Sequence, residues 1–555
     1  MVVPQLTTHE NKPLPNDPDW WRGAVIYQIY PRSFQDSNGD GVGDLAGIIH
    51  RLPYIASLGV DAIWISPFFP SPMLDFGYDV MNYRDVDPLF GTLGDFDAVI
   101  HRAHQLGIRV MIDLVLSHTS DQHRWFRESR SSRDNAKADW YVWADAKPDG
   151  TVPNNWLSIF GGAGWEWDSE RLQYYQHNFL KEQPDLNFHN LEVQDELLAV
   201  ARFWLERGVD GFRLDTINFY FCDAELRDNP ALPPERRDYS TAPAVNPYNW
   251  QEHLYDKSRP EMVGFLRRLR GVMKEFGDIA AVGEVGDAQR GMEIMGEYTR
   301  GDDLMQMCYA FEFLSPEAPS GQRIASVLRK FMTVAADGWA CWAFSNHDVE
   351  RHATRWQLDP AQLRVFLALI LSLRGSVCLY QGEELGLTEA YVAYEDLQDP
   401  YGKRFWPRFR GRDGCRTPIP WLSDTMYAGF SEHKPWLPVA MEHVPMAVSL
   451  QDNDPGSMLG FYRRMLAWRK GHPALAKGSF TIHETSDTTI SYVRAQDGDT
   501  VFCAFNLGAE PASIALPAGG WQAIELDDFA GAIEGGKAVL GPHQALFAAL
   551  AKNSG

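Results

Sequence analysis

Cysteine is scarce in this chain and scattered. Its six residues, Cys222, Cys308, Cys341, Cys378, Cys415 and Cys503, show neither a CxxC pair nor any ligand-like spacing, which argues against a disulfide framework and a cysteine-rich metal site. Buried, reduced thiols are expected, as suits the cytosol. Long apolar runs are missing as well: the longest, near Val365 to Leu373, is too short to span a bilayer. The opening MVVPQLTTHENKPLP carries neither the basic flank nor the apolar stretch of a secretory signal, so a cytoplasmic protein is expected. Positive charge is in short supply, with 51 basic residues against 74 acidic ones and a net charge of −23. That sign repels phosphate backbones and anionic lipid, so neither nucleic acid nor a membrane is expected as a partner. No GxGxxG follows the first strand and GxxxxGKS/T is absent, which leaves nucleotide binding without support.

What the chain does have is repetition. A helix closes on Gly59 and the apolar run VDAIWISPFF follows; the same unit recurs at Gly107 before IRVMIDLVLSH, Gly208 before VDGFRLDTIN and Gly277 before DIAAVGEV. It returns at Gly338 before WACWAFSNHD and Gly375 before SVCLYQGEE. Each glycine suits the left-handed residue that ends a helix, and each run is apolar throughout, as in a parallel strand covered on both faces. With VIYQIYPRSF and MCYAFEF the strands number eight, which predicts an α/β fold of the TIM-barrel type with its site at the C-terminal strand ends. Polar residues collect there: Arg32, His118, Asp215, Glu284, His347 and Asp348.

Two excursions interrupt the repeat. About seventy residues separate His118 from the next barrel helix near Gln194, too many for an ordinary βα loop. They carry Trp125, Trp140, Trp143, Trp156, Phe160, Trp165 and Trp167, and an inserted subdomain walling the site is expected. The aromatic content of 13%, with 19 Trp, fits both a large core and a site that stacks on sugar rings. Beyond about Leu475, short alternating strands such as TISYVRA and TVFCAFNL predict an antiparallel β domain. The expected division is a barrel over 1–118 and 189–475, an insertion after strand three over 119–188, and a C-terminal domain over 476–555.

Arg213 and Asp215 lie two apart on one strand and face the same way. A guanidinium beside a carboxylate favours its ionised form, as a nucleophile requires. Glu284 ends the next strand in AAVGEVG with no cation adjacent in sequence, so burial should raise its pKa and keep it protonated, as a general acid requires. Neighbouring strands are roughly 4.8 Å apart, and retaining glycosidases hold their two carboxyl groups about 5–5.5 Å apart. Asp348, two strands on, offers a third acid to support oxocarbenium charge.

The motifs DLVLSH (Asp113 to His118), GFRLD (Gly211 to Asp215), GEV at Glu284 and SNHD (Ser345 to Asp348) resemble those of the α-amylase family of glycoside hydrolases. QPDLN (Gln183 to Asn187) is similar to the motif that marks its oligo-1,6-glucosidase and α-glucosidase branch. The resemblance implies Asp215 as nucleophile, Glu284 as acid/base and Asp348 as transition-state stabiliser. It implies that His118, Arg213 and His347 bind the glucosyl unit, that Tyr78 stacks on it with Phe160 nearby, and that Asp79 and Arg412 form the charged pair gripping a terminal 4-hydroxyl. The expected activity is exo-acting, retaining release of α-glucose from maltose, maltooligosaccharides and other small α-glucosides, with glucosyl transfer. A sucrose-active or trehalose-synthase-like transferase and an α-1,6-preferring enzyme are the alternatives within the class, and a non-catalytic binding barrel is the alternative outside it. Thr216, where similar α-1,6 enzymes carry valine, favours α-1,4 bonds. DSNGDGVGD supplies Asp36, Asn38, Asp40 and Asp44, oxygens suited to Ca²⁺ or Mg²⁺, and related enzymes add the carbonyl of Val42. Such a cation would be structural, with a metal-free Asp/Asn turn as its competitor; the chemistry itself needs no cofactor.

Overall fold

The computed structural model describes Leu14 and residues 16–551; the stretch 1–13, where a secretory signal was sought, lies outside them. Eight parallel strands form the central sheet: β1 (Val25–Ile29), β2 (Ala62–Ile65), β3 (Arg109–Leu114), β4 (Gly211–Leu214), β5 (Ala280–Val285), β6 (Met307–Ala310), β7 (Cys341–Trp342) and β8 (Ser376–Tyr380). They lie in the order β7-β8-β1-β2-β3-β4-β5-β6, and a parallel bridge between Cys308 and Ala340 brings β6 against β7 and closes the barrel. The strands are apolar on both faces because helices cover the outside and packed side chains fill the inside. β7 is shorter than its sequence suggests: the chain bends at Phe344 and carries His347 and Asp348 out of the sheet toward the cavity.

Most of the repeat glycines adopt the expected conformation. Gly59, at φ 86°, donates its N–H to the Ala56 carbonyl and ends the helix Leu45–Leu58; Gly107, Gly208, Gly277 and Gly375 also have positive φ. Gly338 does not. It is small because a Cβ there would come within 2.5 Å of the Thr299 hydroxyl and 3.0 Å of Ala335.

Between β3 and the helix Leu191–Glu206 the chain forms a short helix, Arg124–Ser131, and a three-stranded antiparallel sheet of Trp143–Ala144, Gln173–Gln176 and Trp165–Asp168. After the barrel come a five-stranded antiparallel sheet, with Thr489–Gln496 and Asp499–Asn506 at its centre, and a second sheet of three strands. All six cysteines are buried and unpaired. Among the described residues no helix is long and apolar enough to cross a membrane.

Candidate active site

Register places the two principal acids side by side. Leu214 of β4 lies opposite Gly283 of β5, so Asp215 and Glu284, one residue further along, emerge as neighbours at the C-terminal mouth. Arg213, fully buried beneath them, joins them. Its Nη1 donates to Asp215 at 2.5 Å and to Asp113 at 2.9 Å, and its Nη2 donates to Glu284 at 2.5 Å and to the Tyr309 hydroxyl at 2.9 Å. The expectation that Glu284 lacks a cation is therefore corrected: its cation comes from the adjacent strand, invisible to a reading of its own sequence neighbours. Tyr309 also donates to Glu284 at 3.1 Å. The Thr216 amide donates to the same carboxylate at 3.2 Å, from a residue held at φ 41°, ψ 50°, strained for a β-branched side chain.

One guanidinium cannot neutralise three buried carboxyls. Burial, opposed by Arg213 and reinforced by the charge of Asp113, pushes Asp215 up to about 7. Burial, again opposed by Arg213 and reinforced by Asp215 and Asp348, pushes Glu284 up to about 8. The lowering of Asp215 expected from Arg213 alone is thus outweighed by burial. Asp348 behaves oppositely. Burial penalises its charge, yet His347, Arg412 and Arg416 together hold it well below the usual carboxylate range. Arg412 reaches it at 3.1 Å and Arg416 at 3.0 Å.

Behind the acids lies a second layer. His347 is fully buried, stacks parallel to Tyr78 at 5.3 Å and meets the Tyr78 hydroxyl at 2.6 Å and Gln28 at 2.8 Å. Neither His347 nor Arg213 reaches the cavity surface, whereas Tyr78, His118 and Phe160 do. The nitrogens of both are engaged with other side chains. Burial lowers His118 to about 4, so its ring is neutral.

The charged pair at the cavity floor is Asp75 with Arg412, at 2.8 Å, not Asp79 with Arg412. Gly77, at φ 108°, turns the chain between the two aspartates. Asp79, inaccessible to solvent, accepts hydrogen bonds from the Ser71 hydroxyl and the Leu74 and Asp75 amides and so locks the loop. Asp399 gives Arg412 a third carboxylate partner, after Asp348 and Asp75, at 2.8 Å, and Gln183 of the QPDLN motif donates to Asp75 at 3.2 Å.

These groups line a cavity of about 640 Å³ containing Asp75, Tyr78, Asp215, Glu284, Asp348 and Arg412. Among the described residues no tryptophan lines it. Those of the insertion pack on one another and on nearby rings, as Trp156 does on Trp165 and Trp125 on Trp140, so the aromatic surplus builds a subdomain core and the cavity uses Tyr and Phe. Asp113, Tyr309, Asp75, Asp399 and Arg416 were not singled out from sequence. Asp113 was the most findable, since it opens DLVLSH.

In the loop 36–44 every candidate side-chain oxygen accepts hydrogen bonds internally or from a neighbouring segment. Asp36 takes the Asn38, Gly39 and Gly41 amides and the Ser431 hydroxyl. Asp40 takes the Val42 amide, Asn38 the Asp40 amide, and Asp44 the Ser37 and Gly47 amides. The donor chemistry suits a hard cation, but among the described residues no three Asp, Glu, His or Cys side chains are gathered as a metal site. The loop closes on its own amides.

Residues 28–478 match the alpha amylase catalytic domain. The chain is 65% identical over 539 residues to a probable alpha-glucosidase of Rhizobium meliloti, covering 96% of this chain and 98% of that one. Among solved structures, the alpha-glucosyl transfer enzyme XgtA superposes with a TM-score of 0.93 at 55% identity, over 96% of this chain and 99% of that one. The trehalulose synthase MutB of Pseudomonas mesoacidophila gives 0.85 at 32% identity, over 96% and 99%. With eight closed β/α units, acids at the C-terminal ends of β4 and β5 and these likenesses, the chain belongs to the α-amylase family and is a glycoside hydrolase of that family.

Proposed function

We propose that this enzyme is an exo-acting, retaining α-glucosidase that releases α-glucose from the non-reducing end of maltose and short α-glucosides and passes part of it to acceptors other than water. The observation that carries the reading is that Asp215 and Glu284 enter one cavity from adjacent strand ends, linked by the two terminal nitrogens of Arg213. Ionised Asp215 attacks the anomeric carbon while Glu284 gives its proton to the departing oxygen. Glu284, now a carboxylate, then takes a proton from water or an acceptor hydroxyl as the glucosyl ester breaks, with inversion at each step and net retention. Asp348, held ionised, supports the oxocarbenium charge. The Asp75–Arg412 pair closes the floor, which supports recognition of a chain end over an internal sugar. Asp215→Asn is expected to lower turnover of p-nitrophenyl α-glucoside by at least about 10³-fold; unchanged turnover sinks the catalytic reading, and release of β-glucose sinks retention.

Thr216 supports a preference for α-1,4 bonds: its hydroxyl lies 3.2 Å from Asp215, where similar α-1,6 enzymes carry valine. A clear preference for isomaltose over maltose would overturn it. The likeness to XgtA and MutB supports a second reading, that sucrose is the donor and transfer or isomerisation outruns hydrolysis. A time-resolved product profile on sucrose and maltose separates the two. For the loop 36–44 we propose a structural role for Ca²⁺, supported by its oxygen donors alone. Added Ca²⁺ should raise Tm by a few degrees and leave kcat unchanged, and a Tm insensitive to both Ca²⁺ and chelator identifies a metal-free turn.

A further inference from the structure

Arginines at the floor and at the mouth of the cavity differ in their partners. Arg213, Arg412 and Arg416 each contact at least one carboxylate. At the outer wall the segment 407–411 presents Arg408 and Arg410, both exposed. Among the described residues neither makes an ion pair or a side-chain hydrogen bond. Arg410 lies 4.9 Å over the ring of Tyr391, itself 64% exposed, a cation–π contact that leaves its N–H groups without a protein acceptor among the described residues. Arg355, on the same wall, donates to the carbonyls of Ser315, Glu350 and Phe344.

Two carboxyl groups share that wall. Glu389, half-buried, accepts the Arg351 amide at 2.9 Å, and burial pushes its carboxyl upward. Glu350 is exposed; partial burial raises its carboxyl and the charges of Arg355 and Arg410, acting through space, oppose that rise. The wall thus carries three guanidiniums, those of Arg355, Arg408 and Arg410, and one exposed carboxylate, that of Glu350, in a chain whose net charge is −23. Exposed, unpaired arginines add little to stability. Their charge acts on whatever occupies the cavity mouth, which is the leaving-group end because the glucosyl unit sits inward against Asp75 and Arg412.

We propose that this end of the cavity recognises an oxyanion: the enzyme takes α-glucosides whose aglycone carries a phosphate or carboxylate, held by Arg408 and Arg410. The inference rests on the glucosidase reading above. Guanidinium forks match both oxyanions, so two matched pairs of substrates distinguish them: trehalose 6-phosphate against trehalose, and α-glucosylglycerate against α-glucosylglycerol. The expected result is a kcat/KM at least about tenfold higher for the anionic member of one pair, shrinking as ionic strength rises. The ratio should fall to about one in Arg408→Gln/Arg410→Gln and be partly kept in Arg408→Lys/Arg410→Lys, which preserves the charge. Neutral members cleaved as well as or better than both anionic ones would overturn the proposal while leaving the glucosidase reading intact. Failure to cleave any α-glucoside, including p-nitrophenyl α-glucoside, would remove the reading beneath it.

Discussion

Arg213 shows how much one side chain can organise. It is inaccessible to solvent, yet it contacts Asp113, Asp215 and Glu284, so the protonation of these three acids depends on one buried cation. Replacing it by Gln would leave three buried carboxyls with no positive partner. Because the cation opposes burial at each acid, its loss must raise all three pKa values. Activity requires Asp215 ionised and Glu284 protonated. The wild-type kcat/KM profile should therefore be bell-shaped, with the acid limb marking protonation of Asp215 and the alkaline limb deprotonation of Glu284, the two values belonging to the coupled pair. In Arg213→Gln the residual activity should fall by at least about 10²-fold, and its acid limb should move to higher pH. An acid limb that stays in place or moves down would show that Arg213 does not control Asp215. From sequence the pairing of Arg213 with Asp215 was legible because it needs only the period of two. Its pairing with Glu284 was not, since it depends on the register of β4 against β5.

The loops after the strands are where local reading failed most plainly. Both Asp75 and Asp79 lie in the short run LDFGYDV, and nothing in that string tells which reaches Arg412, more than three hundred residues away. The turn at Gly77 decides: Asp75 faces the cavity and pairs with Arg412, while Asp79 is consumed by the loop's own amides. Conservative substitutions should separate the two roles. Asp75→Asn keeps the shape but loses the charge, and should lower kcat/KM for maltose by about 10–100-fold, chiefly through KM, with little change in Tm. Asp79→Asn exchanges an acceptor for a donor within a loop that needs acceptors. It should lower Tm by several degrees, and its kinetics on the folded fraction should suffer less than those of Asp75→Asn. Steady-state kinetics on maltose beside thermal melts of both variants check this, and the reverse pattern would restore Asp79 as the pocket residue. The barrel itself was legible at this scale, because glycine-capped helices before apolar runs are written in local sequence. The exception, Gly338, owes its identity to a side chain from another element, Thr299.

Across the whole molecule, the C-terminal β sheets are joined to the barrel at the end away from the chemistry. Arg494, inaccessible to solvent on the strand Thr489–Gln496, donates to the carbonyls of Ser372 at 2.7 Å and Leu373 at 2.8 Å and to those of Ser479 and Gly478. Ser372 ends the helix Pro360–Ser372, so the cation meets a helix C-terminus, where the free carbonyls and the helix dipole both favour it. Tyr492 adds a hydroxyl contact to Ser372 at 2.7 Å. That helix leads into β8, so its C-terminus lies at the N-terminal face of the barrel, opposite Asp215 and Glu284. Arg494→Ala strands several buried carbonyls at once and should cost about 3–5 kcal/mol, lowering Tm by roughly 5–10 °C. Arg494→Lys, with one ammonium for four spread acceptors, should recover only part of the loss. Because the anchor and the acids occupy opposite ends of the barrel, kcat at 25 °C should stay within about twofold of wild type for both variants. A kcat that falls in proportion to Tm would mean that the β sheets support the site through the barrel and do more than fasten its far end.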